Sequence, residues 1–249
     1  MTNIKHTVGK PITGVSPDQV RKKRIAIAVA SVIVAAVAIF FVLGHEKIES
    51  QVAQRVTAVA GPAPKRRTLK KQAQVVRKAN QQASWDMAAV KPISLSTLAD
   101  AAMHRNDYSA LGQLYSNDLG MKMNIYAGVG NTVLNLGAGT LKKDDVIGQE
   151  NYALAGHNMD DGRTLFSPIY TAAVRNQLKG KVIAVTDWHK VYHYKVVAHR
   201  FVPARSLYLA GNTLNTKTQP ILTLFTCDWT GRGRLYVEAT LAWTTAYKA

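Results

Sequence analysis

The sequence predicts an all-β fold for its carboxy-terminal part, preceded by a membrane-spanning helix and a basic linker. Short runs with alternating apolar and polar residues recur between turns rich in glycine, asparagine or aspartate, as expected of strands buried on one face. Eight such runs favour a closed barrel, because closure removes the exposed edges of a sheet. A long uncharged run near the amino terminus predicts the membrane helix.

The run 25–43 follows the basic cluster Arg21-Lys22-Lys23-Arg24 and contains no charged residue. At about 1.5 Å per residue it spans roughly 28 Å, close to the hydrocarbon thickness of a bilayer. The basic cluster predicts a cytoplasmic amino terminus, so that residues after Gly44 lie outside the cell membrane. The competing interpretation is a signal peptide cleaved near Ala58-Val59-Ala60, but that site lies about fifteen residues beyond an unusually long apolar run.

These features divide the chain into four parts. We expect a cytoplasmic basic amino terminus (1–24), a transmembrane helix (25–44), an extracellular basic linker (45–83) and a β-barrel domain (84–249). The net charge is +17, and residues 1–110 carry 17 basic side chains against six acidic ones. We interpret the linker as a solvated spacer whose stretch 68–83 has helical composition, with attraction to anionic lipid or wall polymer as the alternative. We expect no nucleic-acid partner, since no recognition motif accompanies the charge.

The barrel domain contains the runs from which its strands are predicted. They are 111–115, 121–125, 132–136, 152–157, 181–186, 191–201, 221–226 and 234–241. About one helical turn is expected within 168–175. A further helix is expected within 84–110, where apolar residues from Leu95 to Ala102 have helical spacing.

Cys227 is the only cysteine in the chain, so it forms no internal disulfide. It ends the run 221–227, and Arg234 begins the next run after a polar, glycine-containing turn. If the two runs pair as a hairpin, the thiol and the guanidinium project to the same side. A cation favours a thiolate and can stabilise an oxyanion. The alternative is a buried, inert cysteine beside a solvated arginine, and the hairpin alone leaves both open.

His157 ends a short apolar strand and is followed by the loop-forming residues Asp160, Asp161 and Gly162. A histidine at a strand end beside a loop is well placed to act as an acid or a base. A lone histidine is more often structural, and this position alone does not distinguish the two roles.

Taken together, these residues resemble the class A sortases, membrane-anchored cysteine transpeptidases of Gram-positive bacteria. The matching residues are Ile125-Tyr126 with Gly128, Gly137-Ala138-Gly139-Thr140, Asn151-Tyr152-Ala153-Leu154-Ala155-Gly156-His157-Asn158, Leu165-Phe166-Ser167-Pro168, Thr186-Asp187, Tyr192 and Tyr194, Thr223-Leu224-Phe225-Thr226-Cys227, and Arg234. Their order and spacing hold over roughly residues 111–243. The cysteine motif, the histidine motif and the trailing arginine in this order make the resemblance specific.

The resemblance implies an eight-stranded barrel and an acyl transfer. Such enzymes cut a Leu-Pro-x-Thr-Gly sorting signal between threonine and glycine, then pass the acyl group to a peptidoglycan-precursor amine such as that of lipid II. On this chain Cys227 would be the nucleophile, His157 the general acid and Arg234 the group that positions the peptide and stabilises the oxyanion. The partners would be surface proteins bearing the signal.

The resemblance also implies a peptide groove and raises the question of a metal. The groove would involve Ala155, which shares a strand face with His157, and Thr226. The connection after the sixth strand would add Val202, Pro203 and Leu207. We expect no cofactor and no required metal, because Ca²⁺ takes about six to eight oxygen ligands and the connection 202–220 contains no carboxylate. The carboxylates that remain are Asp144, Asp145 and Glu150, beside Lys142 and Lys143.

Three other functions stay open at the level of sequence. A membrane-anchored cysteine hydrolase or peptidase would use the same three residues and release the peptide to water. A pilin-polymerising sortase is the nearest rival within the family; such enzymes often carry a lid segment before the barrel and a second membrane helix after it. A non-enzymatic wall- or lipid-binding protein would leave Cys227 as a core residue.

Overall fold

The structure is a computed structural model that describes residues 31, 44, 47–58, 68–211 and 219–248. The chain divides into two compact units, Met1–Lys47 and Ile48–Ala249, and the barrel lies in the second. Apart from Ser31 and Gly44, the predicted membrane helix 25–44 lies outside the described residues. In the part that is described, no helix has both the length and the apolar composition needed to cross a bilayer.

The described residues of the second unit form eight strands and four α-helices, together with the helical segment 48–58. The strands are β1 (Gly112–Ser116), β2 (Met121–Tyr126), β3 (Ala138–Thr140), β4 (Asn151–Ala155), β5 (Val182–Thr186), β6 (Lys190–Pro203), β7 (Ile221–Cys227) and β8 (Gly233–Ala246). The helices are α1 (Leu69–Gln82), α2 (Leu95–His104), α3 (Asn131–Leu136) and α4 (Ser167–Val174). Short 3-10 turns cover Met87–Ala89, Arg105–Asp107 and Ser206–Ala210.

The strands close into a barrel in the order β1-β2-β3-β4-β7-β8-β6-β5. Two neighbouring pairs, β2–β3 and β4–β7, are parallel, and the other pairs are antiparallel. The alternating apolar residues of these strands fill the interior with fully buried side chains such as Leu114, Ile125, Leu154, Tyr194 and Leu222. The predicted closed eight-stranded barrel is therefore confirmed.

One predicted strand is wrong. Residues 132–136 form helix α3, and the third strand is instead Ala138–Thr140. The run is short and its apolar residues fit either period, so the pattern alone is ambiguous. Tertiary contacts decide for the helix: the amide of Asn135 donates to the carbonyl of Thr97 on α2 over 3.1 Å, and Val133, Leu134 and Leu136 are buried.

The helices that precede the barrel follow the predicted composition and spacing. Helix α2 begins with a capping box between Ser94 and Thr97, and Leu98 and Ala101 are buried on its inner face. Helix α1 occupies the helical stretch of the expected linker. It contacts the barrel through Gln72, which donates to the carbonyl of Leu111 over 2.7 Å, and through Asn80, which donates to Asp144 over 2.9 Å.

Candidate active site

His157 and Cys227 meet because β4 and β7 run parallel. The register pairs Ala155 with Phe225, and the amide of Gly156 donates to the carbonyl of Phe225 over 3.0 Å. His157 and Cys227 each follow this last pair by two positions. Since side chains alternate along strands, both project to the same side at the same end of the barrel. Two residues that are 70 positions apart in the sequence thus line one cleft.

Arg234 reaches this cleft through the antiparallel pair β7–β8, whose register places it opposite Cys227. The predicted hairpin is therefore present. The turn between the strands is closed by the amide of Gly231, which donates to the carbonyl of Asp228 over 3.0 Å. The guanidinium donates to the carbonyls of Gly231 and Gly233 over 3.1 and 2.8 Å, which anchors its charge to this turn.

The cleft has a volume of about 390 Å³. His157, Cys227 and Arg234 line this cleft, as does Trp229 on the β7–β8 turn, which is 75% exposed. A further wall of the cleft comes from the segment 87–93, which precedes α2. This wall could not be predicted from the sequence, because a 3-10 turn followed by extended residues gives no periodic signal. The wall residues are Met87, Val90, Lys91, Pro92 and Ile93.

Burial controls the ionisation of the two reactive groups. Burial, together with a smaller contribution from the charge of Arg234, lowers the pKa of His157 from 6.5 to about 4. Burial raises the pKa of the Cys227 thiol; Arg234 opposes this shift, while Asp228 and Asp160 add to it. The neutral thiol and the neutral imidazole are therefore the main forms near pH 7.

Among the described residues, hydrogen bonds hold the backbone of His157 rather than its imidazole. Its Nε2 atom is buried and has no hydrogen-bond partner within the described part of the chain. The backbone carbonyl of His157 accepts a hydrogen bond from the amide of Phe166 over 2.9 Å. The next residue, Asn158, donates from its side-chain amide to the carbonyl of Cys227 over 3.3 Å. The loop after β4 thus connects the histidine directly to the cysteine strand.

The residues expected in the peptide groove separate into two groups. Ala155 and Thr226 line the cleft beside the catalytic candidates. Val202 and Leu207 pack against a buried cluster that contains Phe225 and Tyr236. Pro203 pairs with Gly233 at the end of β6. These last three residues do not line the cleft that the described residues form.

The carboxylates before β4 are already paired with protein groups. Asp145 forms a salt bridge with Lys142 at 3.1 Å, and its other oxygen accepts from the amide of Ala153 over 3.4 Å. Asp144 accepts from Asn80. Across the ranges that the structure describes, no group of three or more metal-ligating side chains occurs.

The comparisons with known proteins identify the family of this chain. The family model described as Sortase domain matches residues 114–242, which covers more than half of the chain. The chain belongs to the sortase family. The resemblance found in the sequence is therefore confirmed, and the matched region contains all three catalytic candidates.

Two curated relatives of this sortase are both named Sortase A. The protein from Streptococcus agalactiae is 34% identical over 164 residues, which cover 64% of this chain and 63% of the relative. The protein from Listeria monocytogenes is 28% identical over 154 residues, which cover 61% of this chain and 65% of the relative. The match thus spans a little under two thirds of each relative, and both names agree with the class A resemblance.

Two solved structures share the barrel. Sortase A of Listeria monocytogenes superposes with a TM-score of 0.50 at 28% identity, covering 56% of this chain and 91% of that one. Sortase C-3 of Streptococcus pneumoniae superposes with a TM-score of 0.52 at 14% identity, covering 80% of this chain and 93% of that one. The second match shows the fold alone.

Proposed function

We propose that this sortase is a cysteine transpeptidase that anchors surface proteins to the cell wall. It cleaves a Leu-Pro-x-Thr-Gly type signal between threonine and glycine and transfers the acyl group from Cys227 to a peptidoglycan-precursor amine. The observation that carries the proposal is the meeting of Cys227, His157 and Arg234 in one cleft. Two strand registers around β7 produce this meeting.

The first half of the reaction forms a thioester. The sulfur of Cys227 attacks the threonine carbonyl carbon while its proton passes to His157. The guanidinium of Arg234 stabilises the negative charge that develops on the carbonyl oxygen. The bond to glycine then breaks, and His157 returns its proton to the leaving amine.

The second half reverses these roles. The incoming amine attacks the thioester carbonyl and gives its proton to His157, and Cys227 leaves with its bonding electrons. His157 then returns this proton to the sulfur of Cys227, which restores the neutral pair. Because burial disfavours charge on both groups, the thiolate–imidazolium pair is a minor form at rest. When the proton moves from the sulfur to the imidazole, the two opposite charges that form stay close together in the cleft. The positive charge of Arg234 stabilises the thiolate.

The proposed location follows from the sequence. The helix 25–44 would span the cell membrane once, with the amino terminus in the cytoplasm and the barrel outside. There the barrel would meet surface proteins that carry the signal and the lipid II or peptidoglycan amine.

One observation favours a second candidate within the family, a pilin-polymerising sortase. The segment 87–93 lies along the cleft, where a lid before the barrel would lie. An enzyme that joins one protein to another needs an amine of the second protein as acceptor, and lysine is the side chain that carries such an amine. The acceptor therefore distinguishes the two candidates.

The test uses the full-length chain in a mild detergent with a quenched Leu-Pro-x-Thr-Gly peptide. Glycine-type and lysine-type amines are supplied in separate reactions, and mass spectrometry follows the products. We expect cleavage between threonine and glycine, an acyl group on Cys227 and a glycine-linked product. Cys227→Ala and His157→Ala should lower turnover by about 1,000-fold or more, and Arg234→Ala by about 100-fold or more.

Matched controls are available on the same barrel. His199 lies on β6 and Arg232 on the exposed turn, and His199→Ala and Arg232→Ala should retain wild-type turnover. If the cleaved peptide were released as the free carboxylic acid and no amine-linked product formed, the protein would be assigned as a hydrolase. Capture of lysine in preference to glycine would favour the pilin-polymerising enzyme. Full activity of Cys227→Ala would overturn the proposal.

A further inference from the structure

The helical segment 48–58 contacts the loop that follows His157. Ala53 is fully buried and Val56 is nearly so. Both belong to an apolar cluster against which Met159 also packs, and Met159 is the second residue after His157. The segment therefore packs beside the catalytic end of the chain's fourth strand.

The loop 158–165 has a closed structure with Asp161 at its centre. A bridge between Asn158 and Leu165 joins its two ends. The carboxylate of Asp161 accepts hydrogen bonds from the amides of Arg163 and Thr164, each over 2.8 Å, and from the hydroxyl of Thr164. Asp161 therefore makes three of the hydrogen bonds that hold the loop in this conformation.

Two side chains of the helical segment reach the same carboxylate. Ser50 donates from its hydroxyl to Oδ2 of Asp161, and Gln54 donates to the same oxygen from Nε2 over 3.5 Å. The two residues are four apart and so share one face of the helix. Burial acts to raise the pKa of Asp161, but the hydrogen bonds from Ser50 and Thr164 outweigh it and lower the pKa. Asp161 is thus an ionised acceptor at neutral pH.

The loop matters for His157 because the imidazole has little else to fix it. Its Nε2 atom is unpaired among the residues described, while the backbone on both sides is held by the loop. Phe166 at the end of the loop donates to the carbonyl of His157, and Asn158 at its start donates to the carbonyl of Cys227. A shift of the loop therefore moves the histidine relative to the sulfur.

We propose that Ser50, Gln54 and Asp161 are positioning residues, through which the helical segment 48–58 clamps the loop 158–165 and sets His157 against Cys227. The effect on turnover rests on the proposed function, whereas the effect on the loop does not. Ser50 and Gln54 donate their hydrogen bonds to the centre of the loop rather than to a barrel strand. Loss of these hydrogen bonds should therefore change the loop before it changes the barrel.

The test uses full-length variants in detergent and two kinds of measurement. Ser50→Ala and Asp161→Asn remove one side of the clamp each. Ser50→Thr keeps the hydroxyl and should rescue what Ser50→Ala loses. Thr57→Ala is the matched control, because the hydroxyl of Thr57 donates to the carbonyl of Ala53 within the same helical segment and not, among the described residues, to the loop.

We expect Ser50→Ala and Asp161→Asn to increase amide hydrogen exchange across 158–165 by at least about 10-fold, with the barrel strands unchanged. The kcat for peptide cleavage should fall by about 10-fold or more while KM stays within about twofold, because a displaced histidine affects proton transfer more than peptide binding. Ser50→Thr and Thr57→Ala should match the wild type in both measurements.

Any of three results would overturn the clamp. Hydrogen exchange of the loop could be unchanged in Ser50→Ala, Thr57→Ala could show the same increase in exchange and fall in kcat, or Ser50→Ala could change KM while kcat stays at the wild-type value. Failure of the proposed function has a different signature. If Cys227→Ala stayed fully active while Ser50→Ala loosened the loop, the clamp would stand as a property of the loop and the assignment of the active site would fall.

Discussion

Arg234 lies directly opposite Cys227 in the β7–β8 register, which places a permanent positive charge beside the thiol. That charge lowers the pKa of Cys227 against the larger effect of burial. The same charge adds to burial in lowering the pKa of His157. Arg234 therefore favours the thiolate and disfavours the imidazolium, so it influences both partners of the proton transfer.

Replacing Arg234 should change two pKa values at once. In Arg234→Gln the pKa of His157 should rise from about 4 toward its ordinary value of 6.5, since one cause of its depression is removed. The pKa of Cys227 should rise further, since the charge that opposes burial is lost. NMR of labelled histidine measures the first, and the pH dependence of iodoacetamide alkylation measures the second. Arg232→Gln is the control, and equal pKa values in the two variants would contradict this account.

Burial of neutral His157 should make the protein less stable in acid. An unfolded histidine takes up its proton near pH 6.5, while the buried one does so only near pH 4. The unfolded state therefore binds more protons between these values, and the free energy of unfolding falls as the pH falls through this window. Through His157 the free energy of unfolding should decrease by about 3 kcal/mol between pH 7 and pH 4.

Urea unfolding of the wild type and His157→Gln over this pH range checks the contribution. The wild-type curve should fall more steeply, and the difference between the two curves isolates His157 from the carboxylates that titrate nearby. Curves with the same slope from pH 7 to pH 4 would show that the imidazole is not held neutral by burial.

The part of the site that the sequence could predict is local. Cys227 and Arg234 are seven positions apart, and the alternation on both sides of a short turn fixes which of their side chains share a face. The hairpin and its register thus follow from residues within one short stretch.

The contact between His157 and Cys227 could not be predicted from pattern. It depends on the parallel pairing of β4 with β7, and strand alternation does not show which distant strands become neighbours. Only the resemblance to a family brought the two residues together in the sequence analysis. The hydrogen bond between Ser50 and Asp161 joins residues 111 positions apart. Neither a sequence pattern nor the family resemblance predicted it.

Short elements could not be predicted from the sequence for another reason. The run 132–136 has too few residues for its period to decide between strand and helix, and its contact with α2 decides instead. The wall 87–93 has neither period nor turn signature. Its place in the cleft depends on tertiary contacts such as the hydrogen bond from the amide of Lys91 to the side chain of Asn131, 40 positions away.

Chelation should leave the activity unchanged. Asp145 is bound to Lys142 and Asp144 to Asn80, so a Ca²⁺ ion would have to displace existing partners. We expect peptide cleavage to be the same after EDTA treatment and after addition of Ca²⁺. Stimulation by Ca²⁺ that disappears in Asp144→Asn would contradict this prediction and identify these carboxylates as a metal site.

Gly156 should tolerate no side chain, because Phe166 occupies the space beside it. A Cβ atom at position 156 would lie 2.8 Å from the ring of Phe166, which is fully buried and cannot turn away. Gly156→Ala should therefore lower the free energy of unfolding by about 1–3 kcal/mol and reduce turnover, since the next residue is His157. Gly130→Ala is the control, with its nearest neighbour 3.9 Å away. Phe166→Leu should restore part of the stability in the Gly156→Ala background, and equal urea midpoints for the two alanine variants would refute the steric account.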